Sequence, residues 1–286
     1  MKYINILIII NMISEKKINN VSIKPLITTT GIDPKKIKGG NLIPSVYGVT
    51  FLCAKRKSGK TSTLAEILQK TSDKRTTFWV FCPTHKVDSS WTALIKLLED
   101  KGNCVNVFDS IMDGKTNNLD IIMNDLSNPE MEEEESKEPL AKPQCKLKFD
   151  NEEEEKKKKE YKPKKLAPEH VFVFDDISHE LKNPSVASLL KKSRHFKASV
   201  YLSFQYPMDL TPQCWKQCEF CLCFKSFSRD KLEHIHKHMD LTCELEDFYN
   251  IYDYVFKDPN EKWNFLYVDV RDQLYRKNFN KKLNIE

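Results

Sequence analysis

The sequence predicts an α/β protein built on a doubly wound, mainly parallel sheet with helices on both faces. Three observations carry that expectation. Short apolar, β-rich runs alternate with segments of helical spacing along most of the chain. One of those runs, HVFVFDD at 170–176, is apolar until it ends in two acids, as expected of a parallel strand buried on both faces. Another, VYGVTFLC at 46–53, runs into a basic, glycine-containing loop and then a helical segment.

In chain order, residues 1–44 read as an N-terminal extension. Its apolar start, Met1 to Ile13, is too short to cross a bilayer, and no small-residue cleavage site follows it. Residues 14–45 are polar with scattered Pro and Gly and read as a lead-in. A single domain is expected over 45–128 and 169–280, with a tail at 281–286. A strand near 46–53 is followed by a helix near 60–71 and a strand at 77–82 that ends at Pro83. A helix is expected after Asp88, capped by Ser89 or Ser90, with Leu94, Leu97 and Leu98 inward. Residues 105–108 suit a short strand.

Residues 129–168 break the pattern. Blocks of glutamate at 132–135 and 152–155 and of lysine at 156–159 leave too little apolar surface to offset ordering entropy, so a disordered insertion is expected. After the strand at 170–176 come a helix near 184–194, a strand at 198–204 that ends at Gln205, and a strand at 219–224. Helices near 229–239 and 244–256 and a last strand at 265–270 complete the pattern.

Composition adds bounds. The chain has 286 residues, 30% of them charged, and a formal net charge of +5, which permits contact with nucleic acid without demonstrating it. Nine cysteines, an odd number scattered through apolar runs, read as reduced core thiols of an intracellular protein. Cys214, Cys218, Cys221 and Cys223, with His234, His236, His238 and Cys243 beyond, lack the paired spacing of a zinc site.

The chemistry concentrates at three strand ends. The octet AKRKSGKT at 54–61 matches the phosphate-binding pattern G-x-x-x-x-G-K-[ST] except that Ala54 stands for the first glycine. Ala54, Lys55, Arg56, Lys57, Ser58, Gly59, Lys60, Thr61 and Ser62 are the expected nucleotide cradle, in which backbone amides and a helix N-terminus converge on phosphates. Lys60 would reach the β- and γ-phosphates, and the Thr61 hydroxyl would bind Mg²⁺. Asp175 and Asp176 can divide the remaining work, Asp175 in the Mg²⁺ shell and Asp176 polarising water. Gln205, at the next strand end, is placed to contact the γ-phosphate or the attacking water, or is an edge amide satisfied by backbone. Arg194 and His195 precede that strand and should lie at the opposite edge. Arg194 is either an arginine finger serving a neighbouring subunit or a structural arginine at a helix C-terminus.

Taken in order, AKRKSGKT, VFVFDD, SRHFKASVYLSFQ, LTPQCWKQC, DFYNIYDY, WNFLYVD and YRKNF resemble the genome-packaging ATPases of poxviruses, giant viruses, virophages and Maverick/Polinton transposons, within the FtsK/HerA superfamily. The resemblance covers about residues 45–280 without the charged insertion. It implies a RecA-like (ASCE P-loop) core with an extra strand between the two Walker strands. It also implies a ring homo-oligomer that uses ATP and Mg²⁺ to thread double-stranded DNA into a capsid, with capsid components as partners and no membrane. The expected location is intracellular, in the host cytoplasm or nucleus, or with the virion. Lys60 and Thr61 then hold phosphate and Mg²⁺, Asp175 and Asp176 form the Walker B pair, and Gln205 is the sensor. Besides Ala54, the chain departs from the family at Lys216 and Cys218, where arginine and asparagine are often found. Lysine at 216 keeps a charge but loses bidentate geometry. The alternatives are a HerA-like cellular or plasmid DNA-processing translocase, and a nucleotide-binding assembly scaffold without turnover.

Overall fold

The computed structural model describes residues 32–128, 165–225, 227–258, 260–261 and 263–284. The apolar start of the chain and most of the charged insertion lie outside the described residues.

Eleven strands and seven α-helices are formed among the described residues. The main sheet has nine strands in the order β11-β10-β9-β8-β1-β7-β6-β2-β3. Six are parallel to one another: β1 (Val49–Cys53), β2 (Thr77–Phe81), β3 (Cys104–Phe108), β6 (His170–Asp175), β7 (Ala198–Phe204) and β8 (Phe220–Phe224). Strands β9 (Phe265–Asp269), β10 (Leu274–Lys277) and β11 (Lys281–Leu283) continue it antiparallel. A separate two-stranded ribbon pairs β4 (Met112–Asp113) with β5 (Thr116–Asn117). The strand that carries AKRKSGKT, β1, and the strand that ends in Asp175, β6, are separated by β7 alone. This is the RecA-like (ASCE) arrangement.

Strand alternation divides the core into two layers. Leu52, Val171, Val173, Phe78 and Val80 pack with α1 (Lys60–Thr71) and α2 (Ser89–Asp100). Phe51, Cys53, Phe172, Phe174, Val200 and Leu202 pack on the other face with α3 (Asn118–Ser127), α4 (Pro184–Lys192), α6 (Arg229–His238) and α7 (Leu245–Val255). Because both faces are covered, β1, β6, β7 and β8 are buried along almost their whole length. None of these helices is long and apolar enough to cross a membrane, among the described residues.

Several expectations need correction. Residues 34–43 are part of the fold: Ile37, Leu42 and Ile43 are buried, and Ile37 bridges Leu166 in a parallel pair. The insertion therefore ends before Leu166, whose backbone amide donates to Lys36 O at 2.9 Å. Asp88, not Ser89 or Ser90, caps α2, its carboxylate accepting from Ser90 N at 2.8 Å. Leu97 is only half-buried, while Trp91, Leu94 and Leu98 form the inward stripe. The strand at 265–269 is not the last, because β10 and β11 follow, and β11 occupies residues assigned to a tail. Helix α3 was not expected, although Asn117 caps it and Leu119, Ile122, Met123 and Leu126 have helical spacing. The four-residue helix α5 (Pro212–Trp215) was likewise unforeseen.

Candidate active site

Parallel pairing aligns the three strand ends. Cys53 pairs with Phe204 and Asp175 with Ser203, so the loops after β1, β6 and β7 leave the sheet side by side. In an open parallel sheet, that C-terminal edge is where ligands bind.

The octet forms a tight loop whose last glycine opens α1. Gly59 is the N-cap at φ 88°, and no side chain caps the helix, so its first amides face the loop. A glycine is needed there for a second reason: a Cβ on Gly59 would lie 2.9 Å from Cε3 of Trp263. Ala54 behaves differently. It is fully buried, its N–H donates to Phe204 O at 3.0 Å, and its φ is not positive. The ladder between β1 and β7 simply runs one residue further, so alanine fits without strain at the first-glycine position. Left-handed backbone falls instead on Lys57 (φ 62°) and Asp176 (φ 56°).

Lys60 ties the constellation together. Its Nζ lies 2.6 Å from Asp175 Oδ1 and 3.4 Å from Asp176 Oδ1. Burial pulls the Lys60 ammonium down, but the two carboxylates outweigh it and leave it above its ordinary range. The lysine therefore stays charged through neutral pH. Gln205 Nε2 donates to Asp176 Oδ1 at 3.5 Å. Four expected residues from three strand ends thus converge on one point.

Sequence reasoning missed the residue that holds this point from below. Trp91, fully buried on α2, donates its indole N–H to Asp175 Oδ2 at 2.8 Å. Asp175 is 2% exposed, so each lost donor leaves a buried carboxylate oxygen less satisfied. Trp91→Phe keeps the ring packing and removes that donor. It should lower stability by about 1–3 kcal/mol, read as a lower urea midpoint at an unchanged slope. An unchanged midpoint would show that the bond contributes nothing.

Residues 55–63 line a cavity of about 760 Å³, with Glu66, Asp88, Ser90 and Asp176 on its polar walls and Trp263, Phe265 and Phe279 on its apolar one. The donor set fits a phosphate-bound Mg²⁺. Thr61 is the second residue of α1, and the Asp175 carboxylate is held at the adjoining strand end, giving the oxygen-only ligands a hard cation prefers. Ser58 Oγ is buried with no protein partner among the described residues, which suits a loop that contacts phosphate.

Arg194 is not part of this constellation within its own chain. It precedes β7 at the opposite edge of the sheet and donates to Glu219 Oε1 at 3.3 Å, its side chain half exposed. His195 and Lys216 are exposed near the same edge. Cys221 and Cys223 are buried in β8, and Cys214 is buried beside Thr211, whose hydroxyl contacts its sulfur at 3.2 Å. Burial pushes the Cys214 thiol up, and the thiols of Cys221 and Cys223 also stand well above their ordinary value, as for core thiols.

No family model and no curated protein matches the chain. Solved structures do. The chain is similar to a viral genome-packaging NTPase. That protein is B204 from Sulfolobus turreted icosahedral virus 2, in complex with ATPγS. The two share 16% identity and superpose with a TM-score of 0.46, covering 81% of this chain and 96% of that one. Its complex with AMPPCP gives 15% identity and a TM-score of 0.47 over 82% and 98% of the two chains. B204 described as the DNA-packaging ATPase from Sulfolobus turreted icosahedral virus gives 14% identity and a TM-score of 0.48 over 84% and 98%. The residues of the site, not this distant likeness, carry the functional reading.

Proposed function

We propose that this chain hydrolyses ATP and uses the energy to translocate double-stranded DNA, packaging a viral or virus-like genome. The observation that carries the ATPase reading is the position of Lys60 between Asp175 and Asp176, with Gln205 on Asp176, at the edge where the phosphate loop opens α1. Phosphoryl transfer needs positioning and charge stabilisation more than covalent chemistry. The loop amides and Lys60 would bind the β- and γ-phosphates. Thr61 and Asp175, the latter through water, would hold Mg²⁺, which when bound neutralises charge on the transferred group. Asp176 is the more exposed of the two acids, 30% against 2% for its side chain. It is the one that can meet a water, and Gln205 would orient that water or sense the γ-phosphate.

The DNA-translocating part rests on the sequence resemblance: the SRHFKASVYLSFQ segment ends in the glutamine that reaches Asp176, and YRKNF closes the aromatic wall of the cavity. In a ring homo-oligomer the half-exposed Arg194 guanidinium would be the candidate for a contribution in trans to a neighbour's site. Binding to the DNA backbone would be salt-sensitive.

Turnover measured with duplex DNA, with single strands and with no nucleic acid tests this. We expect duplex to stimulate hydrolysis the most. ATP binding with no turnover under any of the three conditions would replace the motor by a nucleotide-stabilised scaffold.

A further inference from the structure

We propose that Trp263 is the platform on which the nucleobase stacks. This rests on the nucleotide reading of the phosphate loop and adds the subsite for the other end of the ligand. Four tryptophans occur in the chain. Trp79, Trp91 and Trp215 are buried or half-buried, whereas Trp263 is 63% exposed. An exposed indole of this size needs an explanation, and its position supplies one. Its six-membered ring lies against Gly59, the residue that opens the phosphate-binding helix, and it lines the same cavity as the loop.

The platform is braced. Phe279 stands edge-on to Phe265, ring centroids 5.0 Å apart, and both line the cavity beside Trp263. Asn278, in the left-handed region at φ 54°, accepts from Phe265 N at 3.0 Å and donates to Asn264 Oδ1 at 2.9 Å. Asn264, next to Trp263, in turn donates to Val255 O at 3.2 Å. The β9–β10 hairpin and the end of α7 therefore fix the chain on both sides of this apolar wall. A polar loop that binds phosphates on one side and a rigid aromatic wall on the other suit a nucleotide, whose two ends differ in that way. Stacking on an aromatic face is tolerant of base identity because every base has a π-face, so we expect weak discrimination between adenine and guanine.

Calorimetric titration of Trp263→Ala and Trp263→Phe with ATPγS and with inorganic tripolyphosphate, both with Mg²⁺, tests the assignment. Base–aromatic stacking predicts that Trp263→Ala weakens ATPγS by roughly 5- to 150-fold. Tripolyphosphate, which has no base, should bind the variant as it binds the parent. Trp263→Phe should recover most of the ATPγS affinity. Equal weakening of both ligands would make Trp263 a brace for the loop at Gly59 and overturn the platform, as would unchanged ATPγS affinity. A parent chain that binds the two ligands equally keeps the phosphate site and loses the platform. A parent that binds neither loses both.

Discussion

Lys60→Ala is expected to lose nucleotide binding by at least about a hundredfold, because it removes charge-assisted hydrogen bonds to the phosphates that contribute about 1.5–3 kcal/mol each. The same substitution has a second consequence that a binding assay alone would confuse with the first. Lys60 lies 2.6 Å from an Asp175 carboxylate that is 2% exposed. Breaking a buried ion pair from one side typically costs about 3–5 kcal/mol, since the remaining charge keeps its desolvation penalty and loses its partner. Trp91 and the partial exposure of Lys60, 11% for its side chain, should hold the loss toward the low end. The variant should therefore be less stable in urea as well as unable to bind. Lys60→Arg separates the two effects: it retains a cation for Asp175 and so most of the stability, but carries a planar fork where the loop expects a compact ammonium. A folded Lys60→Ala chain with unchanged affinity for ATP would remove the nucleotide site altogether.

How much of this was legible in the sequence depends on how locally each feature is encoded. Lys60, Asp175, Asp176 and Gln205 each sit at or just beyond the end of an apolar strand, and parallel strands put their ends at one edge. Their convergence thus follows from the order of elements, before any contact is known. The Trp91–Asp175 bond and the approach of Trp263 to Gly59 are different. They join residues 84 and 204 positions apart, through packing angles that no periodicity records. The ease of Ala54 is also a tertiary fact, since its amide continues a ladder to Phe204. Ile37 and Leu42 were hidden by polar neighbours: their segment has no period, and Ile37 pairs with Leu166 across the charged insertion. Helix α3 is encoded openly, by a cap at Asn117 and apolar residues at i, i+3, i+4 and i+7, but it lies just ahead of the charged insertion, whose composition masks its period. Strands β10 and β11 are short and polar, with Arg276, Lys277, Lys281 and Lys282, as suits the charged edge of a sheet that discourages further pairing.

Asp176→Asn should bind nucleotide as the parent does and hydrolyse it about 10²- to 10⁴-fold more slowly, the usual range for removing a positioned proton acceptor. The substitution isolates chemistry from structure for reasons specific to this position. Asp176 has φ 56°, and asparagine is among the few residues that adopt that region readily, so the backbone turn after β6 should survive. The side-chain oxygen that accepts from Gln205 and faces Lys60 is retained as an amide oxygen. Lys60 keeps its closer ion pair with Asp175, so the buried charge stays balanced and urea stability should change little. What disappears is the negative charge on the more exposed acid, the group able to polarise a water. The same change at Asp175 would be a poorer experiment, because it would disturb the buried pair, the Trp91 bond and the proposed Mg²⁺ ligand at once. Single-turnover hydrolysis, measured at nucleotide concentrations that saturate both proteins, reads the effect directly. Parent-like turnover in Asp176→Asn would take the proton-acceptor role away from Asp176, leaving Asp175 as the remaining carboxylate at this edge.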